Sequence, residues 1–382
     1  MRGCDTVVVG AGVFGAWTAW HLQQAGQKVL LVDAYGPASA RASSGGQTRV
    51  IRMAYGPDAA YTRMAQRSLV LWKAFFERIR RPELFVPAGV LWMAPAGDAT
   101  ADHSITALAD CGVPHEVIAG DVLAARWPQI AFPDGCRALL EPGSGGLMAR
   151  RAVQAVVADA QRGGAGLRIA KVLPPEGEGR LAHVTTSGGG TIHADRFVFA
   201  CGPWLGRVLP DVLGGRIFPT RQEVFYFGAP AGDTRFALPA LPIWLDSARQ
   251  YYGFPDVEGR GFKIAHDDHG EAADPDVLER VPTPARIAHA RAFIAERFPA
   301  LAGAPLLGAE ICQYENSSNG NFVLDSHPRF DNVWIAGGGS GHGFKHGPAV
   351  GEYVAERVLR GGSVDERFGL ATKGTAQRRE VH

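Results

Sequence analysis

Thr6-Val-Val-Val-Gly-Ala-Gly-Val-Phe-Gly15, read together with the stretch from there to Asp33, decides the fold of this chain. Thr6 to Val9 is an apolar, β-branched run, the pattern of a buried strand. Gly10-Ala-Gly12-Val-Phe-Gly15 breaks the run, a helical stretch extends from about Ala16 to Gln24, and Gly26 stops it. Lys28 to Val32 is a second buried strand, ending at Asp33. A glycine triplet alone is weak, because such turns often only pack strand on helix. Here strand, turn, helix, strand and acid keep register over about 30 residues, the unit that binds a dinucleotide in a Rossmann-like sheet. Gly10 then makes the tight turn, Gly12 lets a pyrophosphate approach the backbone, and Gly15 packs helix on strand. The helix N-terminus presents N–H groups and a positive dipole end to phosphate. Asp33 stands about 20 residues on, where a carboxylate meets a ribose hydroxyl.

The composition agrees with a soluble enzyme-sized chain and excludes other classes. With 382 residues there is room for two or three domains of about 100–200 residues each. Lys+Arg 39 against Asp+Glu 38 leaves a net charge of +1, so no basic field argues for nucleic acid and no acidic tail for disorder. Gly 49 is close to twice the usual usage of about 7%, which points to many tight turns and close backbone approaches. Cys4, Cys111, Cys136, Cys201 and Cys312 form no CxxC pair and no disulfide framework, which leads us to expect a reducing, cytoplasmic setting. Met1-Arg2 and the uncharged run Thr6 to Trp20 imitate a signal peptide, but three glycines spoil its helix and no cleavage site comes after it. No stretch reaches the roughly 18–20 apolar residues of a membrane span.

Further along, helices are expected at Ser68 to Arg78, Arg151 to Gln161 and Ala285 to Arg297, with strands at Gly89 to Met93, Leu167 to Val172, Ala182 to Thr186 and Phe197 to Ala200. Residues 216–310 carry alternating, aromatic-rich strand patterns such as Gln222 to Phe227 and Gln250 to Phe254. Val333 to Ala336 is a strand leading into Gly337-Gly-Gly-Ser-Gly-His-Gly343 and a helix from Pro348 to Leu359. The polar tail after about Lys373 is expected to fray. Glycine-rich loops at opposite ends imply one domain assembled from distant segments, 1–85, 145–215 and 320–382. A substrate domain with an antiparallel sheet takes 86–144 and 216–319, so the class is α/β (α+β overall). A nicotinamide protein has no obvious use for the C-terminal loop. In a flavoprotein such a loop and helix face the ring edge that becomes negative on reduction, which favours FAD over NAD.

The chain resembles the D-amino-acid-oxidase-like FAD family, and within it the monomeric sarcosine oxidase branch. The resemblance covers most of the chain in order. It rests on the first glycine turn, Thr48-Arg-Val-Ile-Arg-Met-Ala-Tyr55, Glu141-Pro-Gly-Ser-Gly-Gly146, Ala200-Cys-Gly-Pro-Trp204, Tyr252-Gly-Phe-Pro255, Gly261-Phe-Lys263, Ile311-Cys-Gln-Tyr314 and Gly341-His-Gly-Phe-Lys345. It implies an FAD site built from Gly10, Gly12, Val13, Phe14 and Gly15 of the turn, and Asp33 and Ala34 after the second strand. Ser43, Ser44, Thr48, Arg49 and Val50 join them, as do Val172, Ala200, Gly202 and Trp204. The C-terminal loop adds Gly341, His342, Gly343, Phe344 and Lys345.

By the same resemblance Cys312, in its C-x-Y segment with Tyr314, carries the flavin as a thioether. Read alone, it would be a buried thiol acting as a small hydrophobe. Lys263 shares a strand face with Gly261 and Ala265, away from Phe262 and Ile264; such a lysine is ordinarily solvated, whereas the resemblance places it beneath the flavin, where O2 is reduced. Arg49 and Arg52 would be neighbours if their segment were locally helical. The resemblance puts Arg49 at the flavin face, makes Arg52 and Lys345 a clamp for a substrate carboxylate, and lets Tyr55 and Tyr252 line the pocket. Cys201 reads as packing and His342 as structural or flavin-contacting.

Departures cluster round the substrate. The branch carries a His pair and an Asp where this chain has Ser44-Gly-Gly-Gln47, a His at Met53, and a His that falls on Asp267, flanked here by His266 and His269. Glycine at 45 suggests an enlarged pocket. The expected activity is oxidation of a secondary amino acid to an imine by FAD, with O2 reduced to H2O2. The rivals are a dehydrogenase with another electron acceptor and a non-catalytic flavin-bound subunit. The expected partners are a small amino acid or amine and O2. No metal is expected, since His342 and His346 stand in a glycine-rich loop with no carboxylate between them. Oligomeric state stays open.

Overall fold

In the computed structural model, residues 3–268 and 270–378 are described. Met1, Arg2, His269 and residues 379–382 lie outside them. β1 (Cys4–Val9) is the axis of a seven-stranded sheet, with Val7 and Val8 fully buried. It pairs in parallel with β2 (Val29–Asp33) on one side and β11 (Thr191–Phe199) on the other. β9 (Gly166–Ile169) extends the sheet beyond β2 and β18 (Val333–Gly337) beyond β11, both parallel. β17 (Val323–Ser326) closes one edge antiparallel, and β10 (His183–Thr185) folds back on β11. This is the expected Rossmann-like arrangement. The helix Val13–Gln24 is buried from Val13 through Ala19 and packs against the helices Ala149–Arg162 and Gly347–Arg360. Gly351 is what permits the second contact: a Cβ there would lie 2.6 Å from the Trp17 carbonyl carbon.

An eight-stranded sheet runs in the order β16 (Leu306–Ser317), β12 (Ile217–Phe227), β15 (Phe262–His266), β14 (Tyr251–Phe254), β13 (Ile243–Asp246), β5 (Val90–Ala94), β7 (Arg137–Glu141) and β6 (Glu116–Ala119). It is antiparallel as expected, except that β13 and β5 run parallel. Its two faces differ in chemistry. One packs Trp244 and Phe262 against Phe293 of the helix Pro284–Arg297 and Phe298 at its end, while Val224, Tyr226, Tyr252 and Ala265 form a separate apolar group. β3 (Arg49–Ile51), β8 (Gly145–Leu147) and β4 (Phe85–Val86) form a small third sheet.

Three local expectations need correction. The helix expected from Ser68 begins at Ala59, because the Asp58 side chain caps it by accepting from the Ala60 and Tyr61 N–H groups. The segment from Arg49 is extended, since Arg49 to Ile51 pairs with Gly145 to Leu147. Positions 49 and 52 therefore point to opposite sides. The tail expected to fray after about Lys373 is held as far as Arg378: the Lys373 side chain is 4% exposed and donates to the Arg367 carbonyl, and the Arg378 N–H reaches the Ser318 carbonyl at 2.5 Å, while residues 379–382 lie outside the described residues. No described helix is long and apolar enough to cross a membrane.

Candidate active site

The turns that follow β1, β2 and β11 surround a cavity of about 1210 Å³ when the open space at its mouth is included. Gly10, Gly12, Val13 and Phe14 line it from the first turn, and Asp33 and Ala34 from the end of β2. Ser43, Ser44, Arg49 and Val172 form a further stretch of wall, and Ala200, Gly202 and Trp204 another. Cys312 and Tyr314 enter from β16, and Gly341, Gly343 and Phe344 from the C-terminal loop. Gly15, Thr48, Val50, His342 and Lys345 stand off this wall. Gly15 has the packing role expected of it, since a Cβ there would lie 1.9 Å from the Gly10 carbonyl oxygen.

The wall suits a dinucleotide. Gly10 takes φ +108°, and any Cβ on it would lie 2.1 Å from the Ala200 carbonyl oxygen. At Gly12 the nearest obstruction to a Cβ is Ser44 Oγ at 3.4 Å, so the backbone there is open. Ser44 Oγ accepts from the Val13 N–H, and Asp33 accepts from the N–H groups of Ala11, Tyr35 and Gly36, which fixes both turns. Ser43 Oγ and Gln313 Oε1 are buried on the wall without a hydrogen-bond partner among the described residues, two polar atoms that a ligand can satisfy.

A chain of contacts links the wall to the eight-stranded sheet. Arg49 Nη2 donates to Cys312 Sγ at 3.1 Å and to the Ser43 carbonyl at 2.8 Å, while Nη1 donates to the Thr48 carbonyl at 2.9 Å. Lys263 Nζ donates to the same carbonyl and to Thr48 Oγ1, both at 2.9 Å. Lys263 is 2% exposed, not solvated. Burial, with the Arg49 charge adding to it, pushes its ammonium down to about 7.

A second cluster gathers round Tyr55. The Arg52 guanidinium and the Lys345 ammonium each lie 4.9 Å from the Tyr55 ring centroid, although β3 turns Arg52 away from Arg49. Arg52 donates to the Ala54 carbonyl, and Lys345 Nζ to that of His342 at 3.0 Å. Tyr55 Oη is shared between His346 Nε2 at 2.7 Å and His342 Nδ1 at 3.1 Å, and burial holds His346 well below the usual imidazole range. Tyr314 Oη donates to Asp267 Oδ1 at 2.8 Å and hydrogen-bonds Tyr252, whose phenol burial raises to about 12.

The enlarged pocket expected from Gly45 is not there. A Cβ on Gly45 would lie 2.0 Å from the Ser39 carbonyl oxygen, so glycine serves a backbone crossing and leaves no extra space. Met53 is buried in the core, its N–H donated to Glu141 Oε2. Sequence reasoning also missed Tyr35, Lys171, Gln313 and Glu315 on the wall. Cys201, read as packing, also borders the cavity.

A solved L-proline dehydrogenase from P. horikoshii superposes with a TM-score of 0.83 at 22% identity, covering 96% of this chain and 97% of that one. A fructosyl peptide oxidase from E. terrenum does so with a TM-score of 0.80 at 20% identity, covering 96% and 91%. At these identities the likeness speaks for the fold. In sequence, the monomeric sarcosine oxidase of Bacillus sp. (strain NS-129) is 33% identical over 364 residues, 94% of this chain and 93% of its own length. The N-methyl-L-tryptophan oxidase of Salmonella dublin is 30% identical over 360 residues, 93% and 94% of the two chains. Residues 5–357 match the DAO family, described as FAD dependent oxidoreductase. With that match spanning the dinucleotide turn, the cavity wall and the Lys345 cluster, the chain belongs to the DAO family of FAD-dependent oxidoreductases.

Proposed function

We propose that this chain is an FAD-dependent amine oxidase that oxidises a secondary amino acid to an imine and passes the electrons to O2. The observation that carries the reading is the Cys312–Arg49–Thr48–Lys263 chain, which sets a buried ammonium beside the cofactor cavity. The relatives named as oxidases of sarcosine and N-methyl-L-tryptophan support the substrate class. The bound flavin supplies a two-electron acceptor for the hydrogen on the carbon next to nitrogen. Arg52 and Lys345, both held against the Tyr55 ring, bind the substrate carboxylate. Tyr252 and Tyr314, tied to Asp267, orient the amine end. The Lys263 ammonium stabilises the negative charge that O2 gains. Anaerobic mixing with a panel of secondary amino acids should bleach the yellow enzyme, and admitting air should restore the colour and yield H2O2. Bleaching without recovery in air identifies a dehydrogenase instead, and no bleaching with any amine identifies a flavin-bound subunit.

The same reading makes Cys312 the point of attachment, a thioether to the flavin 8-methyl carbon. Its sulfur lies on the cavity wall, 9% exposed and in contact with Arg49. After acid denaturation of a fully flavinylated preparation, the yellow colour should stay with the protein and the intact mass should include FAD. Complete release of flavin together with free alkylation of Cys312 would overturn the attachment.

A further inference from the structure

Glu315 is a carboxylic acid in the cavity wall with no cation beside it. It is 7% exposed and, among the described residues, takes part in no ion pair. Its Oε1 accepts from the Gly338 N–H at 2.9 Å, and the Gly339 N–H also points at the carboxyl. Glycine at 337 leaves room for it, since a Cβ there would lie 2.3 Å from Oε1, and the backbone at Gly202 and Gly339 passes on the Oε2 side at ordinary contact distance. The carboxyl is thus planted between the turns after β11 and β18, at the carboxyl ends of parallel strands, where ligands of such sheets bind.

A buried carboxylate with only two N–H donors and no counter-charge favours its neutral form. Burial raises the Glu315 carboxyl to about 7, against the pull of those two donors. The titratable groups facing it are few. The Cys201 thiol, which burial pushes up, stands on the turn after β11, with Asp33 beyond it at the end of β2. On its own strand, Tyr314 turns its hydroxyl to Asp267, and in the loop after β18 His342 bonds Tyr55 and the Gly320 carbonyl. None of these supplies a positive charge to hold Glu315 ionised. A bound dinucleotide removes the remaining water and brings its own negative charge, and both effects favour the proton.

We propose that Glu315 is a cofactor-binding residue that, as a neutral acid, donates a hydrogen bond from Oε2 to a phosphate oxygen of FAD. The inference rests on FAD occupying this cavity. A neutral acid is the one form that suits both neighbours, because Oε1 still accepts from Gly338 while Oε2 donates to an anionic oxygen that can only accept. FAD binding then takes up a proton whenever the free protein holds Glu315 ionised, and affinity falls as pH rises past about 7.

The test uses full-length apoprotein carrying Cys312→Ser, so that FAD binds reversibly, and reads flavin fluorescence between pH 6 and 9. The expected result is a dissociation constant that rises by up to about tenfold per pH unit above pH 7. With Glu315→Gln added, a neutral donor at every pH, that rise should vanish, leaving binding at pH 9 at least about tenfold tighter than with Glu315. An unchanged slope in the Gln variant overturns the proposal, as does a loss of affinity of more than about tenfold at pH 6. Proton uptake on FAD binding at pH 8, read with a pH indicator in the Cys312→Ser protein, needs no Glu315 variant to fold. Uptake of about one proton supports the proposal, and none overturns it. If that protein binds no FAD at any pH, the cofactor reading itself fails, which is a different result from binding without the slope.

Discussion

Lys263→Met should slow reoxidation of the reduced enzyme by air by about 10²–10³-fold or more, while anaerobic bleaching by substrate stays largely intact. The size of the effect comes from what the side chain faces. Lys263 is sealed at 2% exposure and spends two hydrogen bonds on Thr48, so its charge acts in a dry site where water cannot replace it. Met fills the same volume without the charge. The pH profile carries the same signature. Burial lowers the ammonium to about 7, so the charged form is complete at lower pH and is lost as pH rises through that value. Negative charge on the reduced cofactor moves the loss upward, so the fall in reoxidation should begin at or above about pH 7 and be absent in Lys263→Met. Stopped-flow mixing of the reduced enzyme with oxygenated buffer measures both effects. Equal reoxidation rates in the two proteins would remove Lys263 from the mechanism.

For Arg52→Ala the expected loss in kcat/KM on the best amino acid substrate is roughly 2–5 kcal/mol, or about 30- to 5,000-fold. A carboxylate moved into a buried site needs charged donors, and Arg52, 7% exposed, shares the Tyr55 ring with Lys345 as the second donor. The decisive form is a double cycle. The decarboxylated analogue should be a similarly poor substrate for the parent enzyme, and Arg52→Ala should then cost it little more. Arg52 also lies 4.5 Å from the Trp92 ring centroid, so a thermal melt of the variant separates lost binding from lost packing. If amines without a carboxylate turn over as well as amino acids in the parent, the clamp is wrong.

The parts of this molecule that could be read from sequence are those whose signal is local and repeated. The run Thr6 to Asp33 declares itself through period, turn and acid within one short window, and the sheet round β1 grows out of it. The orientation of Lys263 was legible too, because two-residue alternation separates it from Phe262 and Ile264, which lie in the aromatic core. Whether Arg49 and Arg52 are neighbours was left to whether their segment is helical, because β3 is three residues long, too short to show a period, and is extended only through its pairing with Gly145 to Leu147. Gly45 shows a different limit. A glycine kept for space and a glycine kept for a backbone crossing look alike until Ser39 is brought to it from six residues away. Glu315 was passed over because its surroundings come from the turns after β11 and β18, and no feature of Tyr314-Glu-Asn316 hints at them.

The pairing order of the first sheet also sets a clock. β1 borders β11, where Val9 meets Phe199, and β11 borders β18, where Phe199 meets Ile335. The cavity wall likewise draws on residues from Val9 to Phe344. A ribosome adding about 5–20 residues per second takes on the order of tens of seconds to travel that distance. Until β11 emerges, β1, with Val7 and Val8 destined for full burial, has β2 on one edge and nothing on the other. Nucleotide capture by a finished cradle therefore waits for the loop after β18, well after the interval in which β1 is half-paired.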